Sequence, residues 1–228
     1  MILRVVNHKF HYEMENLCRV FFPYETIRVI NNESDETDDI SCETAIIDCG
    51  ECTPELISKL NGKNVKYILL THGHADHILG VYDLKQAFPE AKIVIHKKDA
   101  DCLTNEMMSI AFSIAPHMQK NIEPDITVEE GDAISLGSLE FKVMHTPGHT
   151  MGSVCYYIES ERTLFTGDTL FCLTTGRTDL FGGNDDDMYA SIKRLYEMPG
   201  EYTVYPGHNR ATTMEYERRR NRYMRRFK

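Results

Sequence analysis

Residues 65–77 read Val65-Lys66-Tyr67-Ile68-Leu69-Leu70-Thr71-His72-Gly73-His74-Ala75-Asp76-His77, and the change of character at Thr71 governs the reading of the rest of the chain. Val65 to Leu70 is a short run of strand length, which predicts a strand. It leads straight into four side chains that can bind a cation. In an extended stretch, residues two apart face the same way, so His72 and His74 can reach one ion. Gly73 between them leaves room for the backbone to turn. Asp76 and His77 fall where a helical stripe begins (Ile78, Val81, Leu84 and Phe88, stopped by Pro89), so they aim elsewhere and can hold a second ion nearby.

Three later strands end in turns of the same kind. Leu139 to Met144 runs into His145-Thr146-Pro147-Gly148-His149, Thr163 to Thr166 into Gly167-Asp168, and Tyr202 to Tyr205 into Pro206-Gly207-His208-Asn209. Strand ends on one edge of a sheet converge in space, so the four turns can share a site. His149 then completes the ion begun by His72 and His74. His208 completes the ion begun by Asp76 and His77, and Asp168 is the carboxylate suited to bridge the two. A lone His at a strand end is usually a satisfied polar residue. Seven candidate ligands on four such turns point instead to a metal centre.

Neutral imidazole and carboxylate donors suit zinc, and also iron or manganese, without any thiolate. The expected cofactors are therefore two divalent metal ions, zinc foremost. Such ions lower the pKa of bound water to roughly 7, giving a hydroxide able to attack an acyl carbon. Asp76 is the expected catalytic residue, both ligating and orienting that hydroxide.

Around this centre, short β-type runs alternate with helical patterns, the signature of a layered mixed fold. Ile27–Ile30 and Thr44–Ile47 flank an acidic stretch, residues 31–39, as a hairpin with a solvated tip. Thr53-Pro54-Glu55 opens a helix, with Thr as N-cap and Pro at the first position. Ile93-Val94-Ile95-His96 is a further strand. In residues 101–126, Met107, Met108, Ile110, Phe112, Ile114 and Met118 are expected to pack into the core rather than form a lid. Asp185, Asp186 and Asp187 start a helix with a Met188, Ile192, Leu195 stripe, stopped at Pro199-Gly200. Thr212 and Glu215 have capping-box spacing for a last helix. Without a Pro- or Ser-rich linker or an internal repeat, residues 1–228 read as one domain.

Bulk properties narrow the function classes. Of 228 residues, 42% are hydrophobic, enough for a substantial core, and the net charge of −10 disfavours a general polyanion binder. No apolar run approaches the roughly 18 residues of a membrane span, and Met1 to Asn7 lacks a signal-peptide core. Seven scattered cysteines do not form a disulfide framework, so a reduced, cytoplasmic protein is expected. Cys49-Gly50-Glu51-Cys52 reads as incidental small residues at a turn rather than a redox motif. His145 is a candidate partner for a ligand, while His8, His11, His96 and His117 default to structural or surface roles. The Arg-rich run from Glu215 to Lys228 reads as a solvated helix face.

The segments His72-Gly73-His74-Ala75-Asp76-His77, Thr146-Pro147-Gly148-His149-Thr150, Thr166-Gly167-Asp168-Thr169-Leu170-Phe171 and Tyr205-Pro206-Gly207-His208 resemble the ordered motifs of the metallo-β-lactamase superfamily, over about residues 44–214. That resemblance implies an α+β fold, a four-layer αββα sandwich, with the metals between the loop edges of its sheets. Gly176-Arg177-Thr178-Asp179-Leu180 resembles the glyoxalase II-like group, the hydroxyacylglutathione hydrolases, here without their C-terminal helical domain because the chain ends soon after His208. The resemblance implies a small-molecule acyl substrate, foremost a thioester, with Arg177 holding a substrate carboxylate. The acidic balance and the short apolar runs speak against a nucleic-acid or membrane partner, and a homodimer is compatible with the reading. A related persulfide dioxygenase would use one iron on His72, His149 and Asp168, but the intact Asp76, His77 and His208 favour two metals. A lactonase fits the same residues.

Overall fold

A computed structural model of the chain describes residues 2–9, 26–33 and 43–228. The first sheet takes its strands in chain order: β1 (Ile2–Lys9), β2 (Thr26–Glu33), β3 (Glu43–Ile47), β4 (Asn64–Leu69), β5 (Lys92–His96) and β6 (Ile126–Val128). β2 and β3 pair antiparallel with Arg28 opposite Ile47, the hairpin strands expected from sequence; the loop between them, 34–42, lies outside the described residues. β3 to β6 run parallel. Their crossovers carry α1 (Pro54–Leu60), then α2 (Ala75–Ile78) and α3 (Val81–Ala87).

The second sheet is built from β7 (Ala133–Leu136), β8 (Leu139–His145), β9 (Val154–Ile158) and β10 (Thr163–Gly167). A small hairpin, β11 (Leu170–Phe171) with β12 (Thr174–Thr175), and helix α5 (Asp185–Glu197) follow, α4 (Ala111–Ile114) having come earlier. β13 (Thr203–Pro206) then pairs parallel with β10, and β14 (Thr212–Thr213) closes the edge before α6 (Met214–Arg220). The spatial order is β14-β13-β10-β9-β8-β7.

The parallel strands β3, β4 and β5 are covered on both faces, which explains why they read as near-continuous apolar runs, whereas burial alternates along β7 and β8. Ala45, Ile47, Leu69 and Val94 face the second sheet's Phe141, Val143, Val154, Tyr156 and Phe165. Their neighbours Ile46, Ile68, Leu70, Ile93 and Ile95 point the other way, onto Leu56, Leu60, Val81 and Leu84 of α1 and α3. On the far side, Cys155, Leu164 and Val204 meet Met188, Ile192 and Leu195 of α5 and Met214 of α6. The layers are therefore helix, sheet, sheet, helix.

Local signals account for most of the helix ends. Thr53 accepts a hydrogen bond from the Leu56 amide at 3.2 Å, and Asn184 from the Asp187 amide at 2.9 Å. Three details differ from the sequence expectation. The Ile78–Phe88 stripe is broken into α2 and α3, because a distant segment captures its hydrogen bonds: Cys49 N–H donates to the His77 carbonyl (2.7 Å) and Gly80 N–H to the Cys49 carbonyl (2.9 Å). Only glycine fits there, since a Cβ at Gly80 would sit 2.5 Å from the Cys52 amide nitrogen. The cap of α6 is Thr213, bonded to the Tyr216 amide at 3.2 Å, while Thr212 donates to Glu217 at 2.7 Å and the Glu215 amide to Glu201 at 3.0 Å.

The third difference concerns residues 101–126, where Met107, Phe112 and Met118 are 63%, 55% and 48% exposed, so the expected core packing does not hold. α4 is a single turn, too short to aim an apolar stripe inward, and it is Ala111 and Ala115 that are buried. In the basic C-terminal run, Arg218 is anchored rather than free. It donates to the carbonyls of Tyr196 and Gly200 (3.0 Å each) and of Met198, closing the end of α5 where carbonyls lack helical partners. Among the described residues no helix is long and apolar enough to cross a membrane.

Candidate metal centre

Every strand-end turn singled out by the sequence arrives at one place. His72 and His74 follow β4, Asp76 and His77 start α2, and His149, Asp168 and His208 follow β8, β10 and β13. One ligand atom each from His72, His74 and His149 lies within 4.8 Å of the others, and the same holds for His77, Asp168 and His208. In the first group, His74 Nδ1 and His149 Nε2 stand 2.8 Å apart. In the second, His208 Nε2 lies 3.2 Å from Asp76 Oδ2 and 3.3 Å from His77 Nε2. Asp168 reaches both: Oδ2 is 3.5 Å from His149 Nε2 and 3.4 Å from His208 Nε2, while Oδ1 is 3.4 Å from His77 Nε2.

The donor set fits cations. Within the cluster, His72 Nε2 and Asp168 Oδ1 are buried without a hydrogen-bond partner. Leaving such atoms unpaired is costly, and a native cluster of them calls for a missing partner. Imidazoles packed edge to face, with ring centroids of His72, His74 and His149 within 5.0 Å, can turn their lone pairs on a shared cation.

The two groups differ in their electrostatics. Burial pushes His72 well below the usual imidazole value, and burial with His149 beside it takes His74 down to about 3. Both are neutral at pH 7, the form that binds metal. In the second group burial also disfavours charge, but carboxylates outweigh it. Asp48, Asp76 and Asp168 hold His77 well above its ordinary value, and Asp168 and Asp76 hold His208 up at about 10. Reciprocally, against the upward pull of burial, His77 and His208 hold Asp76 down at about 2 and keep Asp168 well below the carboxylate range.

Residues outside the ligand set fix its geometry. Asp48, at the end of β3, accepts hydrogen bonds from the Thr71 amide and hydroxyl (2.8 Å each) and faces His77 Nδ1 at 2.9 Å. That contact sets which His77 nitrogen turns to the centre. Sequence reasoning missed Asp48, although it too is an acid ending an apolar strand run. Arg177 reaches the centre through its backbone: His149 Nδ1–H donates to the Arg177 carbonyl at 2.7 Å. Its guanidinium points away, paired with both Asp179 oxygens at 2.6 and 2.7 Å. His145 contacts none of the cluster. It stacks on His96 (4.1 Å between centroids, 7° between planes) and bonds the Met151 carbonyl at 2.9 Å, so its expected contact with a ligand is not made. Cys49 and Cys52 are free thiols; burial raises both, Cys52 to about 11, which makes them unreactive.

The chain matches the family model of the metallo-beta-lactamase superfamily over residues 43–208. It is 35% identical over 173 residues to a hydroxyacylglutathione hydrolase of Rhodopseudomonas palustris (strain BisB5), covering 75% of this chain and 59% of that protein. Two solved structures are similar throughout. The BLEG-1 B3 metallo-beta-lactamase is 31% identical with a TM-score of 0.77, covering 87% of this chain and 94% of its own. TTHA1623 in a di-iron-bound form is 31% identical with a TM-score of 0.73, covering 89% of this chain and 100% of its own.

Proposed function

Because the chain belongs to the metallo-beta-lactamase superfamily, we propose that it is a dinuclear hydrolase of small acyl thioesters, of the hydroxyacylglutathione type. The observation that carries the dinuclear reading is the position of Asp168, within 3.5 Å of nitrogen ligands in both halves of the cluster. His72, His74 and His149 would hold one ion, and Asp76, His77 and His208 the other, with Asp168 shared. When bound, two divalent ions supply an activated water at neutral pH and polarise a carbonyl. Zinc suits these donors, and the di-iron form of a relative supports iron as a second candidate.

The remaining chemistry belongs to the chain. Asp76, ionised down to about pH 2, is the proton acceptor placed to orient the attacking water. Asp48 holds the His77 ring, and the Arg177 carbonyl holds the His149 ring, so neither ligand needs to reorganise during the reaction. A thioester is favoured over other acyl groups by the hydroxyacylglutathione hydrolase relative and by the Gly176–Leu180 stretch. Arg177 would serve a substrate carboxylate by exchanging it for Asp179. The same reading takes a small acyl compound as sole partner, without nucleic acid or membrane, in a reducing cytoplasm, with a homodimer compatible.

The test is a substrate panel on purified protein of known metal content: S-lactoylglutathione, an acyl-homoserine lactone, nitrocefin, bis(p-nitrophenyl) phosphate, and oxygen uptake with glutathione persulfide. The expected outcome is thioester hydrolysis with two metals per chain, abolished in Asp76→Ala. Oxygen uptake with a single iron, or turnover confined to another substrate class, would contradict it.

A further inference from the structure

Besides Asp48, a second buried aspartate outside the candidate ligand set holds the loops of the centre. Asp99 lies on the 3₁₀ turn Lys97–Leu103 that follows β5, and is 2% exposed. Its Oδ2 accepts from the Gly73 amide (2.9 Å) and the Thr150 hydroxyl (2.6 Å), and its Oδ1 from the Gly152 amide (2.7 Å). Gly73 sits between His72 and His74; Thr150 follows His149 and Gly152 lies two residues further on. One carboxylate thus joins a loop of the first sheet to a loop of the second.

Both loops press closely on this turn. A Cβ at Gly152 would lie 2.6 Å from Asp99 Cγ, and a Cβ at Gly73 would collide with Cys102 of the same turn. The three bonds occupy the carboxylate from both sides and fix how far the loop bearing His72 and His74 stands from the loop bearing His149. No comparable bond from Asp99 reaches His77, which Asp48 holds; Asp48 also holds Thr71, whose hydroxyl lies 3.1 Å from His72 Nδ1.

We infer that Asp99 is the positioning residue for the three-histidine half alone, setting the His74 to His149 separation on which cation binding there depends. The inference rests on the reading that His72, His74 and His149 hold an ion. An outer partner of this kind typically contributes about 10- to 100-fold in metal affinity.

Asp99→Asn is a near-isosteric test. An amide has one acceptor oxygen, so whichever way it turns, its NH₂ opposes either the Gly73 or the Gly152 amide. Thr150→Ala removes one bond without touching the carboxylate and serves as the second variant, with Thr150→Ser as the rescue. Wild type, the three variants, His149→Ala and His208→Ala are stripped, reloaded with zinc, dialysed against graded chelator and analysed for metal, with folding followed by circular dichroism.

The expected result is two zinc ions in wild type and in Thr150→Ser. In Asp99→Asn, and less so in Thr150→Ala, one ion is lost at 10- to 100-fold lower chelator while the other is retained as in His149→Ala. Equal retention of both ions in wild type and Asp99→Asn would overturn the role of Asp99 alone. Fewer than two ions in wild type would overturn the underlying reading with it. Parallel loss of both ions from a folded Asp99→Asn would overturn the selectivity.

Discussion

The two halves of the cluster share an aspartate but are built on opposite electrostatic plans. His72, His74 and His149 form an all-imidazole set in which burial keeps His72 and His74 neutral. Asp76, His77 and His208, with Asp168, form a mixed set whose carboxylates hold the imidazoles charged in the absence of metal. The first half is already in its ligand form and lacks only a cation. The second half is held by internal ion pairs, which a cation must replace with the release of protons. Asp99 braces the first half, while Asp48 braces His77 of the second and, through the Thr71 hydroxyl, also reaches His72.

The largest break in this comparison comes from the shared residue. Asp168→Ala removes the carboxylate common to both halves and is expected to lower kcat by about a thousandfold or more, as for loss of a principal electrostatic stabiliser. Metal analysis should find binding weakened in both halves; an unchanged first half would separate Asp168 from it.

Next in size is the brace of the second half. Asp48→Ala frees the His77 ring and the Thr71 turn, and should weaken metal binding by about 10- to 100-fold in the half that holds His77, with a smaller effect at His72, whose Nδ1 lies 3.1 Å from the Thr71 hydroxyl. Chelator titration monitored by metal analysis reads this directly.

The halves should also pull the metal-free protein in opposite directions with pH. A buried His held low, such as His74 at about 3, binds its proton more readily when unfolded, so its contribution falls away as pH drops below the unfolded value near 6.5. His208, held at about 10, contributes stability that is full below the unfolded value and lost as pH rises through about 10. Urea midpoints of stripped protein should therefore decline on both sides of neutrality. His74→Gln should flatten the acid side and His208→Gln the alkaline side; the reverse assignment would contradict the electrostatic contrast.

The smallest effect is expected outside both halves. Arg177 and Asp179 form an exposed pair, so Asp179→Ala should leave Tm essentially unchanged. If Arg177 receives a substrate carboxylate, Arg177→Ala raises KM several-fold with kcat little altered.

The clustering of the candidate ligands was legible because seven His and Asp residues at the ends of apolar runs make a dense local signal. The braces were not, since Asp48 and Asp99 are single carboxylates whose partners lie on other strands. Neither did the sequence reveal the break at Gly80, which is imposed by backbone bonds from Cys49, a residue 31 positions earlier. The parallel strands were legible as apolar runs because both of their faces are buried. The same kind of apolar content misled in residues 101–126, where a single-turn helix leaves Met107 and Phe112 facing outward. At Arg177 it is the carbonyl, invisible to residue type, that touches the cluster.

The central claim is that two chemically distinct cation sites meet at Asp168. Cobalt(II) loading followed by metal analysis and electron paramagnetic resonance tests it most directly. Wild type should bind two ions whose signal is weakened by coupling through the shared carboxylate, while His149→Ala and His208→Ala each bind one, with uncoupled signals and different visible spectra. One ion in wild type, or two with no coupling, would contradict the account.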